Sequence, residues 1–226
     1  MPTLPRGLYG MVDLPPSPLR APGAAVRLAS ALLAGGAKVL QLRIKGAPAA
    51  EMLAVLDELR PLLQTHPEVL LIVNDRLDVA LSGGAHGVHL GQTDMPLLVA
   101  RRMSPRGFVV GISTHDEAQA EAAIAGGADY IAFGPVFPTQ SKSHPDPVVG
   151  LERLRALCRR SPVPVVAIGG ITLSRAAEVA AAGAWAAAII AAVNHAPDVA
   201  AAAAAVTRCF ADQPSSGRPR RSSAAG

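Results

Sequence analysis

Residues 70–94 read LLIVNDRLDVALSGGAHGVHLGQTD. Two short apolar runs, 70–73 and 87–90, are each too short for a helix and are bounded by polar residues or glycine, the mark of a buried strand. Between them, residues 76–82 suffice for one short helix. The first run ends in Asn74-Asp75, and Asp94 follows the second within four residues. Parallel strands joined by a helix point their C-terminal ends the same way. Asp75 and Asp94 are therefore expected beside one cleft. Two carboxylates facing a cleft commonly hold Mg²⁺, leaving its other positions to water and substrate phosphate. Each aspartate has a second reading, as the cap of the helix that follows, Asp94 standing just before Met95-Pro96.

An internal repeat extends the pattern. Gly-Gly-Ala occurs at 35–37, 83–85 and 126–128, and Ala-Gly-Ala at 182–184. Each copy ends a helix-like segment, where glycine supplies a left-handed cap, and precedes an apolar run: VLQL, GVHL, YIAF or AAAII. The roughly 50-residue intervals are about twice one strand–helix unit, so each should hold a second strand. Runs 70–73, 109–112 and 165–168 fill those gaps and 8–12 precedes the first copy, giving eight strands. Helical patterns at 22–34, 49–63, 76–82, 95–103, 116–125, 150–160, 174–182 and 198–210 alternate with them. Strict alternation predicts an α/β chain folded as a single (β/α)₈ TIM barrel with parallel strands. A doubly wound open sheet is the runner-up, but LYGMVDLPP stands where it would carry Gly-x-Gly-x-x-Gly.

Composition agrees. The chain has 226 residues and half are hydrophobic, yet only 3% are aromatic, which suits a parallel sheet under alanine-rich helices. The barrel is expected over residues 1–210, with a disordered Ser/Pro/Arg-rich tail over 211–226. Part of the +4 charge lies in that tail. No basic stripe interleaved with aromatics points to nucleic acid. Residues 179–193 are apolar but shorter than a membrane span. The opening MPTLPRGLYGMVDLPP lacks a signal-peptide core, and two helical cysteines, Cys158 and Cys209, read as reduced thiols, so a cytoplasmic location is expected. The oligomeric state, a homo-oligomer included, stays open.

Polar residues gather at the expected C-terminal strand ends, where barrels keep their chemistry. These are Gln41, Arg43 and Lys45; Asn74 and Asp75; Asp94; Ser113 and His115; Thr139, Ser141 and Lys142; Gly169-Gly170; and Ile190-Ala191. Arg43, Lys45 and Lys142 beside two carboxylates suit a substrate that carries a di- or triphosphate, Arg as a fork and Lys as a point charge. Gly169-Gly170 and Ile190-Ala191 fall where barrels bind a phosphate through backbone N–H groups. The proline-rich loop 135–149 reads as a stiff binding loop. His86 and His89 point to opposite faces of one strand, His66 and His195 read as surface residues, and neither His115 nor His144 has a Cys or His partner, so no zinc site is expected. No Gly-x-Ser-x-Gly or strand-end cysteine supplies a nucleophile.

The motifs GGAKVLQLRIK, LIVNDRLDVALSGGAHGVHLGQTD, VVGISTH, GADYIAFGPVFPTQSK and VVAIGGIT together resemble the thiamine phosphate synthase family, from residue 8 to about 193. The resemblance implies a transferase that joins hydroxymethylpyrimidine diphosphate to a thiazole phosphate, releasing pyrophosphate by dissociative loss. It implies Mg²⁺ on Asp75 and Asp94. Gln41, Arg43, Lys45, Asn74, Ser113 and Lys142 would hold the pyrimidine and its diphosphate, with Arg43, Lys45, Ser113 and Lys142 acting in catalysis. Thr139, Ser141, Gly170, Ile190 and Ala191 would hold the thiazole phosphate. Ile44 stands where the family usually has Glu, Ala191 where it often has Ser, and YGMVDLPP departs from its usual first strand. A similar thiazole tautomerase tends to lack the second carboxylate and to carry His near Pro135, so Asp94 and Pro135 favour the synthase. A barrel that binds a thiamine precursor without turnover is the non-enzymatic alternative.

Overall fold

Alternation within each strand sorts its side chains between two cores. In the computed structural model, which describes residues 4–139 and 146–211, one set of strand residues (Tyr9, Met11, Val39, Ile72, Val109, Tyr130, Ala132, Val166 and Ala186) packs together inside the ring. Their neighbours, among them Leu40, Leu42, Val73, Val88, Val110, Ile131 and Ala167, face outward into a second core shared with the helices. Both faces are covered, so the strands read as continuous apolar runs.

The strands are β1 (Gly7–Asp13), β2 (Val39–Arg43), β3 (Leu70–Asn74), β4 (Gly87–Leu90), β5 (Val109–Thr114), β6 (Tyr130–Phe133), β7 (Val165–Ile168) and β8 (Ala186–Ala188). Each pairs in parallel with the next, and β8 closes on β1. The helices are α1 (Ala24–Ala34), α2 (Ala49–Gln64), α3 (Leu77–Ser82), α4 (Leu97–Met103), α5 (Glu117–Ala125), α6 (Gly150–Arg160), α7 (Ala176–Ala181), α8 (Ala191–Asn194) and α9 (Val199–Ala211). The chain is thus a (β/α)₈ barrel. Among the described residues, no helix is long and apolar enough to cross a membrane.

The repeated glycines end helices as expected. Gly36, Gly84, Gly127 and Gly183 all have positive φ, between 70° and 93°, a region closed to most other residues. The boundary that differs most is β8. The AAAII run predicts a strand reaching Ile190-Ala191, but β8 stops at Ala188. Ile190 has φ −92° and ψ −76°, and Ala191 begins the short α8. The side-chain amide of Asn194 then donates to Met11 O at 2.8 Å, tying α8 to the end of β1. The expected helix over 174–182 is split into a 3₁₀ turn, Leu173–Arg175, and α7.

Candidate active site

Asp75 and Asp94 do not cap helices. α3 starts after Arg76 and α4 after Pro96, both without a side-chain cap. Asp94 Oδ2 instead accepts from Gly91 N–H at 2.7 Å, closing the turn after β4. Asp75 has φ +63°, the only non-glycine with positive φ among the described residues. Aspartate tolerates this conformation better than most side chains, and such strain gathers at functional sites. The two carboxylates are neighbours. Burial first, then Asp94, pushes the Asp75 carboxyl above the ordinary carboxylate range, while Lys45 opposes both. Lys45 Nζ lies 3.3 Å from Asp75 Oδ2. A like-charged pair beside one lysine suits a hard cation. Among the described residues no group of three His, Cys, Asp or Glu side chains assembles, so such a cation would take its remaining ligands from water or substrate.

Both aspartates line a cavity of about 1000 Å³ at the C-terminal ends of the strands, large enough for two small substrates. Gln41, Arg43, Lys45, Asn74, Ser113, Thr139, Gly170, Ile190 and Ala191 share its wall. Every expected site residue within the described chain is therefore present, while Ser141, Lys142 and His144 lie outside the described residues. Ile44 is buried in the outer core and does not line the cavity. Arg43 has a partner that sequence reading missed: register sets Asp13 opposite it, and Arg43 Nη1 donates to Asp13 Oδ1 at 2.5 Å. This pair holds the guanidinium at the rim. His115 also has partners, donating from Nδ1 to Gly134 O at 2.6 Å and lying 3.4 Å from Asp146 through Nε2.

A polar chain that no sequence motif marks runs along the cavity floor. Gln41 Nε2 donates to Tyr9 OH at 2.9 Å, and Tyr9 OH lies 2.7 Å from Tyr130 OH. Tyr130 OH lies 3.0 Å from His89 Nδ1, and His89 Nε2 lies 2.8 Å from Ser113 Oγ. Burial lowers the His89 pKa to about 4, so the ring is neutral near pH 7. One set of proton positions satisfies every buried member. Gln41 donates to Tyr9, Tyr9 to Tyr130, Tyr130 to Nδ1, and Nε2–H to Ser113. Ser113 then accepts from His89, which leaves its own proton available to a ligand in the cavity it lines.

This wiring has a measurable consequence. An unfolded chain protonates His89 near pH 6.5, whereas the folded chain does so only near 4. Stability from the neutral ring is full above pH 6.5 and is lost between 6.5 and 4, by about 3 kcal/mol. Thermal denaturation at pH 7 and 4.5 should show a smaller acid loss for His89→Asn than for the parent. Equal losses would contradict the buried neutral ring.

The layout, a closed parallel barrel with polar chemistry at one rim, is that of a (β/α)₈-barrel enzyme. Comparison with known proteins is more specific. The thiamine monophosphate synthase family model matches residues 17–193. A thiamine-phosphate synthase of Methanospirillum hungatei is 46% identical over 207 residues, 91% of this chain and 96% of that protein. One from Myxococcus xanthus is 44% identical over 201 residues, 88% of this chain and 89% of the relative. Among solved structures, a thiamine phosphate pyrophosphorylase from Pyrococcus furiosus is similar with a TM-score of 0.76 and 38% identity, covering 88% of this chain and 95% of the other. The chain belongs to the thiamine monophosphate synthase family and is an enzyme of thiamine phosphate synthesis.

Proposed function

We propose that this enzyme transfers the (4-amino-2-methylpyrimidin-5-yl)methyl group of 4-amino-2-methyl-5-hydroxymethylpyrimidine diphosphate to the ring nitrogen of a thiazole phosphate. The C–O bond to the diphosphate breaks, its electron pair leaving with pyrophosphate, and a C–N bond forms to give thiamine phosphate. The observation that carries the reading is the convergence of Asp75 and Asp94 on one point of the cavity, neither capping a helix.

Asp75 and Asp94 would hold Mg²⁺, which when bound supplies positive charge to the diphosphate oxygens and favours their departure. Lys45 stands beside the pair and adds a point charge, and Arg43, braced by Asp13, offers its remaining donors to the same phosphates. Lys142 is assigned to the leaving group from its place in the motif. Gln41, Asn74 and the available proton of Ser113 orient the pyrimidine. Thr139, Ser141 and the backbone at Gly170, Ile190 and Ala191 seat the thiazole phosphate, setting its nitrogen against the carbon that is losing pyrophosphate. The absence of an assigned nucleophile suits a dissociative reaction, in which positioning and electrostatics do the work.

The test is pyrophosphate release. It should require both precursors together with Mg²⁺. Release with neither precursor combination, alongside isomerisation of a thiazole carboxylate phosphate without metal, would favour a tautomerase. Tight binding without turnover would favour a binding barrel.

A further inference from the structure

We propose that Arg175 is a charged ligand of the thiazole phosphate and makes the site select the phosphorylated over the unphosphorylated thiazole. This rests on the reaction proposed above. Arg175 closes the 3₁₀ turn after β7 and lines the cavity beside Gly169, Gly170 and Thr172, with Ile190 and Ala191 on the same wall. That is the end of the cavity assigned to the second phosphate, and Ala191 brings no hydroxyl to it.

Two observations fit Arg175 for an anion. The first is its charge balance. Among the described cations lining the cavity, Arg43 is paired with Asp13 and Lys45 with Asp75. Arg175 has no carboxylate partner among the described residues; its one hydrogen bond runs from Nη1 to Gly170 O at 3.5 Å, the limit of such a bond. Most of its five donors are therefore uncommitted. The second is orientation. The guanidinium carbon lies 4.3 Å from the centre of the Phe137 ring, a cation–π contact that restrains the head group and reduces the freedom lost on binding.

The loop beneath is equally fixed. Gly170 has φ +65°, and a Cβ there would meet Phe137 O and Pro138 O at 2.5 Å, both backbone atoms. Backbone N–H groups of Gly170 and of the α8 start can hold phosphate oxygens but carry no net charge. A phosphate monoester with about 1.5–2 negative charges needs a cation, and the forked guanidinium matches it.

Arg175→Met keeps an apolar stem against Phe137 and removes the charge. With saturating pyrimidine diphosphate and Mg²⁺, it should raise KM for thiazole phosphate about tenfold or more. KM for the pyrimidine diphosphate should stay within about twofold, and KM for the thiazole alcohol should be unchanged. Arg175→Lys should recover part of the loss. Equal effects on thiazole phosphate and thiazole alcohol would reduce Arg175 to packing on Phe137 and overturn the assignment, as would an unchanged KM for the phosphate. Calorimetric titration with thiazole phosphate separates this from the reaction itself. If the parent binds it but releases no pyrophosphate, the reaction is wrong, and weaker binding by Arg175→Met still supports the ligand. Equal binding by parent and variant, or none by either, overturns it.

Discussion

Asp94→Asn is expected to lower turnover by roughly 10³-fold while leaving the metal-free protein at least as stable as its parent. The first part follows from the proposed role of Asp94 as one of two anionic ligands of Mg²⁺, since a metal supplies several kcal/mol to a developing charge. The second follows from electrostatics. Asp75 is pushed up by burial and by Asp94. An acid with a raised pKa contributes its stability at low pH and loses it as pH rises through the raised value, so at neutral pH the charged pair opposes folding. Removing Asp94's charge relieves one cause, so the Tm of the metal-free variant should equal or exceed that of the parent. The asparagine oxygen can still accept from Gly91 N–H, so the turn is kept. Saturating Mg²⁺ with the diphosphate substrate should raise the parent's Tm by more than the variant's. A variant that loses stability without metal would mean that Asp94 is chiefly a structural residue.

Gly111→Ala is expected to be strongly destabilising. An added Cβ would lie 2.0 Å from Tyr130 Cζ and 2.4 Å from its OH. Tyr130 cannot retreat. It is fully buried, and its hydroxyl is bonded to Tyr9 and His89. Overpacking here should cost about 3 kcal/mol, the upper end of its usual range, lowering Tm by about 6–12 °C. Displacing Tyr130 also disturbs His89 and, through it, Ser113, so activity should fall further than the loss of folded protein explains. The check is a double-mutant cycle with Tyr130→Leu, in which the penalty of Gly111→Ala should shrink by more than half. Additive effects would contradict the close approach as the cause.

The strand ends were legible in the sequence because four apolar runs follow a glycine that must end a helix, and the others fall between them. From there, Asp75, Asp94, Lys45 and Gly170 could be placed at one rim by direction alone. The Asp13–Arg43 pair was not legible: the first strand was read as ending at Val12, one residue short, and the β1–β2 register cannot be counted from sequence. The end of β8 is not legible because Ala-Ala-Ala-Ile-Ile carries no turn signal, although the backbone turns at Ile190. His89 was considered only as a metal ligand. A polar side chain at an inward position of a wholly buried strand was the available signal. Its partners Tyr130 and Ser113, and Tyr9 beyond Tyr130, lie on three other strands, brought together by closure of the ring.

The measurement that bears most directly on the paired carboxylates is pyrophosphate release from the two precursors across a Mg²⁺ titration of chelator-treated enzyme. The expected result is no release without divalent cation, saturable recovery with Mg²⁺, and no recovery in Asp75→Asn or Asp94→Asn. Full turnover in the presence of excess chelator would contradict a shared metal ion at Asp75 and Asp94.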